Sequence, residues 1–346
     1  MPVFSQSSRE RKEATRKAFE ELLIRITGKR DILGMEASQK LLARSRRYVR
    51  SFRYEMLPPP VEIENEMATD ETENSQTDAE VEEEKPQPTQ KIIVSFDEKA
   101  VKNSLWKNKL PVWGKTRPRT LIWIAISENE QRMLLDASEV TPLLELIKQQ
   151  AERRGVPVVY PKLDQQDQEQ VNVTDVWGGY KEPVFNASQR YAPEAVIAAQ
   201  FFLDQFGVWQ TRWRMYQANE ETLWQSSAPQ LAAVVNEGID KLASLLADRY
   251  AQVSGGEDSN KFLIHISDVS NLADYDKINR YLTSLSVIKN ADLAQIQSNE
   301  LTYELELRSN AKALKQAIAL GKTLAAQDDP FAAEIETNQL SYRLAP

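Results

Sequence analysis

The sequence predicts a mixed α/β (α+β) protein, in which a mixed-sheet N-terminal region with helices precedes a ferredoxin-like βαββαβ C-terminal domain. Through the first 250 residues, apolar strand-like runs alternate with amphipathic helices, which is typical of an α/β layer. From Trp209 to Tyr216, apolar and polar residues alternate with the period of two that marks a half-buried antiparallel strand. After residue 260, the order of predicted elements is strand, helix, strand, strand, helix, strand.

The first sixty residues predict a helix over residues 9–27, a short helix over 37–43 and a strand over 48–56. Apolar residues of the first helix recur every three or four positions, so one face should be buried. Ser8 is its candidate N-cap, and Gly28 should end it in the left-handed conformation.

Residues 58–90 form an acidic insertion. Within it, residues 61–90 contain eleven acidic residues and one lysine, whereas residues 1–60 contain fourteen Lys and Arg against seven acids. Such a segment cannot bury enough apolar surface to offset its ordering entropy, so we predict that it is disordered. The simplest interpretation is a solvated loop between two paired strands, and the alternative is a docking tail.

Residues 91–253 continue the alternation of strands and helices. The predicted elements are a strand over 91–96, a helix over 97–107, a strand over 119–127, a helix over 138–154, a strand over 156–160, meander strands over 195–202, 208–216 and 221–225, and a helix over 229–252. Both faces of the strand over 119–127 are apolar, so it should lie inside the sheet.

The central meander strand has two different faces. Trp209 and Trp213 share one face, and the helix over 229–252 is long and apolar enough to cover it. A ligand-stacking role for this aromatic face is the alternative to a core role, which we favour. Arg212 and Arg214 should then lie on the opposite face.

The C-terminal domain is predicted over residues 260–346, after a linker rich in Gly and Ser. Its elements are a strand over 262–266, a helix over 271–285, strands over 286–298 and 300–308, a helix over 310–320 and a strand over 340–344. Residues 1–57 and 91–253 together should form the preceding α/β domain or domains.

Composition excludes several kinds of chemistry. There is no cysteine, which excludes thiol nucleophiles, disulfides and cysteine-ligated metals, and His265 is the only histidine. No run of about 18 apolar residues occurs, so we expect no transmembrane segment. We also expect no cofactor.

Two sets of residues are candidates for an enzyme. His265 would need Ser267 or Asp268 as a partner in nucleophilic catalysis, although a sheet histidine without a catalytic role is the simpler interpretation. The loop with Asp164, Asp167 and Glu169 offers oxygen ligands for Mg²⁺ or Ca²⁺, but it lacks calcium-loop spacing.

Arginines provide the candidate binding residues. Cations and aromatic residues interleave from Arg44 to Arg53, a pattern shared by nucleic-acid sites and by exposed edge strands. The neighbouring acidic segment would compete for these cations, so an anionic surface or acidic partner is favoured over nucleic acid. The candidate binding residues are Arg46, Arg47, Arg50, Arg53, Arg212 and Arg214.

Several motifs in fixed order also carry a family resemblance. They are Leu22 to Arg30, Arg119 to Trp123, Arg154 to Pro161, Ala187 to Tyr191 and the hairpin tryptophans Trp209, Trp213 and Trp224. Over about residues 1–252, the chain resembles the gammaproteobacterial secreted proteins grouped as domain of unknown function 2066. The resemblance implies a periplasmic or cell-envelope location. The chain lacks the signal peptide of that family, and a genuine start at Met1 would imply a cytoplasmic location instead.

The sequence therefore favours a non-enzymatic cell-envelope binding or accessory protein, with an envelope protein or an anionic envelope component as its partner. Two alternatives stay open. One is a hydrolase or metal-dependent enzyme that uses His265 or the loop with Asp164, Asp167 and Glu169. The other is a protein that binds an anionic polymer or lipid through Arg44 to Arg53.

Overall fold

The computed structural model describes residues 1–57, 88–128, 131–217, 220–254, 261–327 and 339–345. Within these ranges the chain forms α-helices and three β-sheets, so the predicted mixed α and β class is confirmed. The segment predicted to be disordered, residues 58–90, lies outside the described residues except for its last three. No helix in the described ranges has the length and apolar character needed to cross a bilayer.

The first sheet belongs to the N-terminal region. Its elements are β1 (Pro2–Val3), α1 (Ser8–Thr27), α2 (Glu36–Ala43), β2 (Val49–Met56), β3 (Gln90–Phe96) and α3 (Glu98–Lys107). The strand order is β1-β3-β2, and both pairs are antiparallel. The strands on either side of the acidic insertion therefore pair with each other, and β2 lies at an edge.

Helix α1 has the predicted length, with a small correction at its start. The N-cap is Ser7, whose side chain accepts a hydrogen bond from the Glu10 amide, and the predicted cap Ser8 is the first helical residue. Gly28 ends the helix with φ of 76°, as predicted. Phe19 on α1 is fully buried and stacks on Tyr48 at 5.0 Å between ring centroids. Tyr48 was predicted in the strand, but it lies in a 3-10 turn before β2.

The central sheet contains the predicted meander and several elements that the sequence pattern did not predict. Its elements are β4 (Thr120–Glu128), β5 (Gln131–Leu134), α4 (Pro142–Arg154), β6 (Val158–Val159), α5 (Gln165–Gln170), α6 (Val173–Gly178), α7 (Lys181–Ser188), β7 (Ala195–Leu203), β8 (Trp209–Gln217), β9 (Glu220–Ala228) and α8 (Leu231–Tyr250). The strand order is β5-β4-β7-β8-β9, with β6 beside the start of β4. The β4 and β7 strands are parallel, whereas the β7, β8 and β9 strands form an antiparallel meander.

Helices α4 and α8 cover one face of this sheet, and the short helices α5 to α7 cover part of the other. Trp213 is only 1% exposed and lies 5.4 Å from Phe201 and 5.9 Å from Trp224, measured between ring centroids. A Cβ atom at Gly238 of α8 would clash with the Trp213 indole, so glycine permits this close approach. Trp213 is therefore a core residue, and the half-buried Trp209 packs at the margin of the same cluster.

The C-terminal sheet has one strand more than predicted. Its elements are β10 (Lys261–Ser267), α9 (Leu272–Ser284), β11 (Ile288–Gln297), β12 (Glu300–Leu307), α10 (Ala311–Ala319), β13 (Leu324–Ala326) and β14 (Gln339–Leu344). The strand order is β11-β12-β10-β14-β13, and β14 runs parallel to β10. Strand β13 was not predicted, because its sequence Leu-Ala-Ala has no β-branched residue and no alternation of apolar and polar residues. The ferredoxin-like description of this region is therefore not confirmed.

Candidate functional site

The candidate site lies on the face of β8 opposite Trp213. Strand register places Gln200 of β7, Arg212 of β8 and Gln225 of β9 side by side. The next row on the same face contains Arg214 and Leu223. Side chains two residues apart share one face of a strand, so these five residues form a continuous surface across three strands.

Helix α6 forms the wall of this surface. Asn172 caps the helix through a reciprocal capping box with Asp175, and the helix ends at Gly179 with φ of 68°. The Tyr216 hydroxyl donates a hydrogen bond of 2.7 Å to the Gly179 carbonyl oxygen. A Cβ atom at Gly179 would clash with the Arg214 guanidinium, so this position needs glycine for both space and conformation. Gly178 and Gly179 thus form the end of a helix.

Between α6 and the strands is a cleft of about 550 Å³. Its lining includes Trp177, Gly178, Gly179, Gln200, Arg212, Arg214, Leu223 and Gln225. Leu223 is 59% exposed, because no described helix covers this part of the face. The cleft therefore combines cationic, amide and apolar groups, as ligand sites in proteins usually do.

Two polar groups in the cleft lack partners in the described part of the chain. Gln200 is 7% exposed; its amide nitrogen donates to the Trp177 carbonyl oxygen, while its buried Oε1 accepts no hydrogen bond. Arg212 is exposed and forms no ion pair with the described carboxylates, whereas Arg214 pairs with Glu221 at 2.5 Å. An unsatisfied buried acceptor costs about 1–3 kcal/mol. Gln200 therefore has an unused acceptor, and its strand neighbour Arg212 is a cation without a carboxylate partner in the described residues.

Aromatic rings hold the cations of this region in place. Arg132 of β5 lies over the Trp177 ring at 4.5 Å, and Arg212 lies over the Phe202 ring at 5.6 Å. The two rings are 5.9 Å apart. Each cation–π contact contributes about 0.5–1 kcal/mol at an exposed site. Arg212 is thus positioned beside the cleft before any ligand binds.

Tyr216 stays a hydrogen-bond donor over the whole physiological range. Burial raises the pKa of Tyr216 to about 12; the nearby Arg214 opposes this shift and Glu221 adds to it. The neutral hydroxyl keeps its bond to the end of α6, so the cleft wall should not change with pH near neutrality.

The other predicted arginines lie on the first sheet. Arg46 and Arg47 are exposed in the 3-10 turn before β2, and Arg50 is exposed on β2. Arg53 forms an ion pair with Glu55 at 3.0 Å. A register shift between Val49 and Ser51 interrupts the predicted regular alternation at Arg50.

The aromatic residues of this basic segment are engaged in the fold. Tyr48 stacks on Phe19, as described above, and Tyr54 packs edge-on against Phe52 at 6.0 Å. The guanidinium of Arg11 lies over the Phe52 ring, 5.2 Å from its centroid. Tyr48 and Tyr54 are therefore half-buried, whereas Phe52 stays 48% exposed.

The candidate catalytic residues are engaged in separate places. The His265 ring lies on β10 of the C-terminal sheet, with Nδ1 at 3.0 Å from the Thr302 hydroxyl. Asp164 caps α5 and accepts two hydrogen bonds from Arg190, at 2.6 and 2.8 Å. The structure therefore does not bring His265 and the acidic loop together.

The acidic loop itself is a structural ion-pair network. Asp167 is buried and bonds to Arg190 at 3.0 Å and to the Tyr191 hydroxyl at 2.5 Å. The Arg190 guanidinium holds the pKa of Asp164 down at about 2. Glu169 is exposed and accepts from Gln165 at 2.9 Å. In the described residues no group of three His, Asp or Glu side chains could hold a metal ion.

Sequence reasoning found Arg212 and Arg214 but missed Gln200, Trp177 and Gly179. One signal was present: Gln200 is the single polar residue in the otherwise apolar run of β7. A lone amide in such a run indicates a polar partner or a site on that face.

Comparisons with known proteins add one correction. A family model described as a domain of unknown function (DUF8605) matches residues 1–114. The expected resemblance to domain of unknown function 2066 was therefore wrong. The envelope location was expected from that resemblance alone and stays a prediction. The cleft lies entirely outside the matched residues.

No curated protein matches this chain. Among solved structures, one titled "Crystal structure of uncharacterized protein" is 10% identical and covers 39% of this chain and 92% of its own, with a TM-score of 0.18. A TM-score this low supports no inference about fold or function.

Proposed function

We propose that this chain is a non-enzymatic binding protein whose central sheet holds an acidic segment of a partner protein. One observation carries the proposal: Arg212, a cation without a carboxylate partner in the described residues, is the strand neighbour of Gln200, whose Oε1 is buried and unsatisfied.

The Arg212 guanidinium and the Gln200 Oε1 would bind different groups of one ligand. A guanidinium binds a carboxylate through two parallel hydrogen bonds, which makes arginine a preferred anchor for acidic side chains. The Gln200 oxygen accepts a hydrogen bond and thus needs a donor, which a backbone N–H of a peptide supplies. Leu223 and Trp177 provide an apolar wall for the rest of the segment. A simple inorganic anion would satisfy only the arginine.

The state of the candidate catalytic residues supports binding rather than hydrolysis. His265 is held against Thr302, and Asp164 is held by Arg190. In the described residues His265 contacts the Thr302 hydroxyl but forms no hydrogen bond to a carboxylate that would orient its ring as a base, and Asp164 is engaged by Arg190.

We also infer that the C-terminal region is a ferredoxin-like unit extended by one strand. Support comes from the position of β12 between β10 and β11, with β13 and β14 in place of a single last strand. An experimental structure in which β10 and β12 do not pair would contradict this inference.

The proposed function is tested by calorimetric titration with the capped peptide acetyl-hexaglutamate-amide, at low and at moderate salt. We expect saturable binding that the substitution Arg212→Gln weakens about tenfold, since a hydrogen bond to a charged group contributes about 1.5–3 kcal/mol. Arg50→Gln is the matched control, because Arg50 is also exposed and unpaired among the described residues but lies on β2.

Hexaglutamine should bind much more weakly than hexaglutamate. Equal binding by the wild type and Arg212→Gln would overturn the proposal. A loss on Arg50→Gln alone would transfer the site to the basic segment at Arg44 to Arg53.

A further inference from the structure

A second cleft, of about 440 Å³, lies where the first sheet meets the central sheet. Its walls come from α1, β3, α3 and the segment that leads into β4. Arg212, Gln200 and α6 do not line it, so it is independent of the cleft described above.

One side of this cleft is apolar. Leu22 and Ile26 of α1 and Val94 and Phe96 of β3 line it, together with Trp113. Leu22 and Ile26 lie one helical turn apart, so they form a continuous strip along α1.

The other side has an excess of positive charge. Arg25, Lys102, Lys115 and Arg117 line the cleft, and Glu98 is its single carboxylate. Glu98 bonds to Lys102 at 2.7 Å and to Lys115 at 2.9 Å. Arg25 is exposed and has no ion-pair partner in the described ranges. Two positive charges therefore stay uncompensated by carboxylates at Arg25 and Arg117.

Arg117 is fixed by the fold. Its guanidinium donates to the carbonyl oxygens of Arg25 at 2.6 Å, Arg154 at 2.8 Å and Gly155 at 3.0 Å, and it lies 4.1 Å over the Trp113 ring. These carbonyls belong to the C-terminal ends of α1 and α4, where a cation is favourable. Arg117 thus joins two helix ends and also places a cation at the cleft.

Arg25 and Arg117 meet at Gly155. A Cβ atom there would lie 3.1 Å from Arg25 Nε and 2.7 Å from Arg117 Nη1. Burial, together with the smaller effect of repulsion from Arg25 and Arg154, lowers the pKa of Arg117 to about 10. An anion at this point would relieve the repulsion between the two guanidinium groups.

We propose that this cleft binds a small amphipathic anion, with a carboxylate or phosphate beside Arg25 and Arg117 and an apolar body along Leu22, Ile26 and Phe96. The apolar side and the cationic side of the cleft together favour an amphipathic anion. Free phosphate would leave the apolar strip uncovered, and a neutral hydrocarbon would leave the guanidinium pair uncompensated.

Calorimetric titration of the full chain tests the proposal with three probes of one chain length: octanoate, octyl phosphate and the neutral octanol. We expect at least one anionic probe to bind saturably, and at least tenfold more tightly than octanol. The two anionic probes distinguish a carboxylate from a phosphate head group. Arg25→Gln should weaken anion binding about tenfold, because it removes a charge-assisted contact.

Arg16→Gln is the matched control. Arg16 is on the same helix, faces solvent and pairs with Glu20, so its loss should not change binding. Lys115→Gln, at a side chain that is 74% exposed, provides a second charge-removing variant that should fold normally and bind the anion more weakly.

Three results would overturn this proposal: no saturable binding of either anion, equal binding of octanol, or unchanged anion binding by Arg25→Gln. Arg212→Gln should leave octanoate and octyl phosphate binding unchanged. Failure of this proposal is therefore distinguishable from failure of the proposed peptide site.

Discussion

The two faces of strand β8 differ in how completely other elements cover them. On one face, Thr211, Trp213 and Met215 are buried beneath α8, and the Trp213 indole even donates to the Thr211 hydroxyl at 3.1 Å. On the other face, Arg212 and Arg214 lie beside a cleft that α6 covers only from one side. Alternate residues of one strand therefore serve stability and, in our proposal, binding. Substitutions on the two faces should separate these roles.

The largest expected effect is at Trp213. Trp213→Ala removes a buried indole that contacts two other aromatic rings, and such truncations cost about 3–5 kcal/mol. Denaturant unfolding followed by circular dichroism measures this loss. Arg212→Ala is the comparison from the opposite face, and it should cost at most about 1 kcal/mol of unfolding free energy, because it removes only the cation–π contact with Phe202. Similar losses for the two variants would contradict the division between the faces.

The next effect is at Gly238, where α8 touches the Trp213 indole. Gly238→Ala places a methyl group against the ring, and overpacking of this kind costs about 1–3 kcal/mol. Gly34→Ala is the matched control, because a Cβ atom at Gly34 would meet no atom within 4 Å. A stabilising Gly238→Ala, measured in the same unfolding experiment, would show that the indole moves at little cost.

A smaller effect is expected at Tyr216, which joins β8 to the cleft wall. Tyr216→Phe leaves the Gly179 carbonyl without its donor, at a cost of about 1 kcal/mol. The end of α6 should also lose its fixed position, so hexaglutamate should bind more weakly. Unchanged binding in a folded Tyr216→Phe protein would mean that α6 does not shape the site.

The smallest expected effect concerns the pH dependence of stability at Asp164. Its partner Arg190 forms an ion pair, whereas Arg212 forms none with the described carboxylates. The pKa of Asp164 is about 2 in the folded protein, below its ordinary value, because Arg190 donates to the carboxylate. A lowered folded pKa gives stability that is present above the unfolded pKa of about 4 and is lost as pH falls toward 2.

Asp164→Asn should therefore make the free energy of unfolding less dependent on pH between about 4 and 2. Stability curves of the wild type and the variant that run parallel over this window would argue against the pairing. Arg212→Gln should leave the same curve unchanged, because no described carboxylate depends on Arg212.

Long periodic elements of this fold could be predicted, whereas short capped ones could not. The alternation from Trp209 to Tyr216 predicted β8, its two faces and the burial of Trp213, because a buried face requires regular placement of apolar residues. Helices α5 and α6 have six residues each, and their starts depend on the Asp164 and Asn172 caps rather than on periodicity. The predicted sheet accordingly lacked the helices that form the cleft.

The candidate site was likewise predictable only in part. Arg212 and Arg214 followed from the period of β8, since residues that alternate with core tryptophans must point away from the core. Their neighbours did not follow, because pairing Gln200 with Arg212 requires the register between β7 and β8. The contact of Gly179 with Arg214 likewise depends on where a short helix ends in space.

The most direct test of the peptide site is a titration of ¹⁵N-labelled protein with acetyl-hexaglutamate-amide, followed through the indole N–H signals of the tryptophans. Trp177 lines the cleft, whereas Trp123 is fully buried in the cluster behind it and does not line the cleft, with its indole bonded to Ser188 at the end of α7. We predict that the Trp177 signal, assigned with Trp177→Phe, shifts to saturation, that the Trp123 signal stays in place, and that Arg212→Gln abolishes the shift. A peptide that binds without moving the Trp177 signal, or that moves it equally in Arg212→Gln, would contradict a site between α6 and β8.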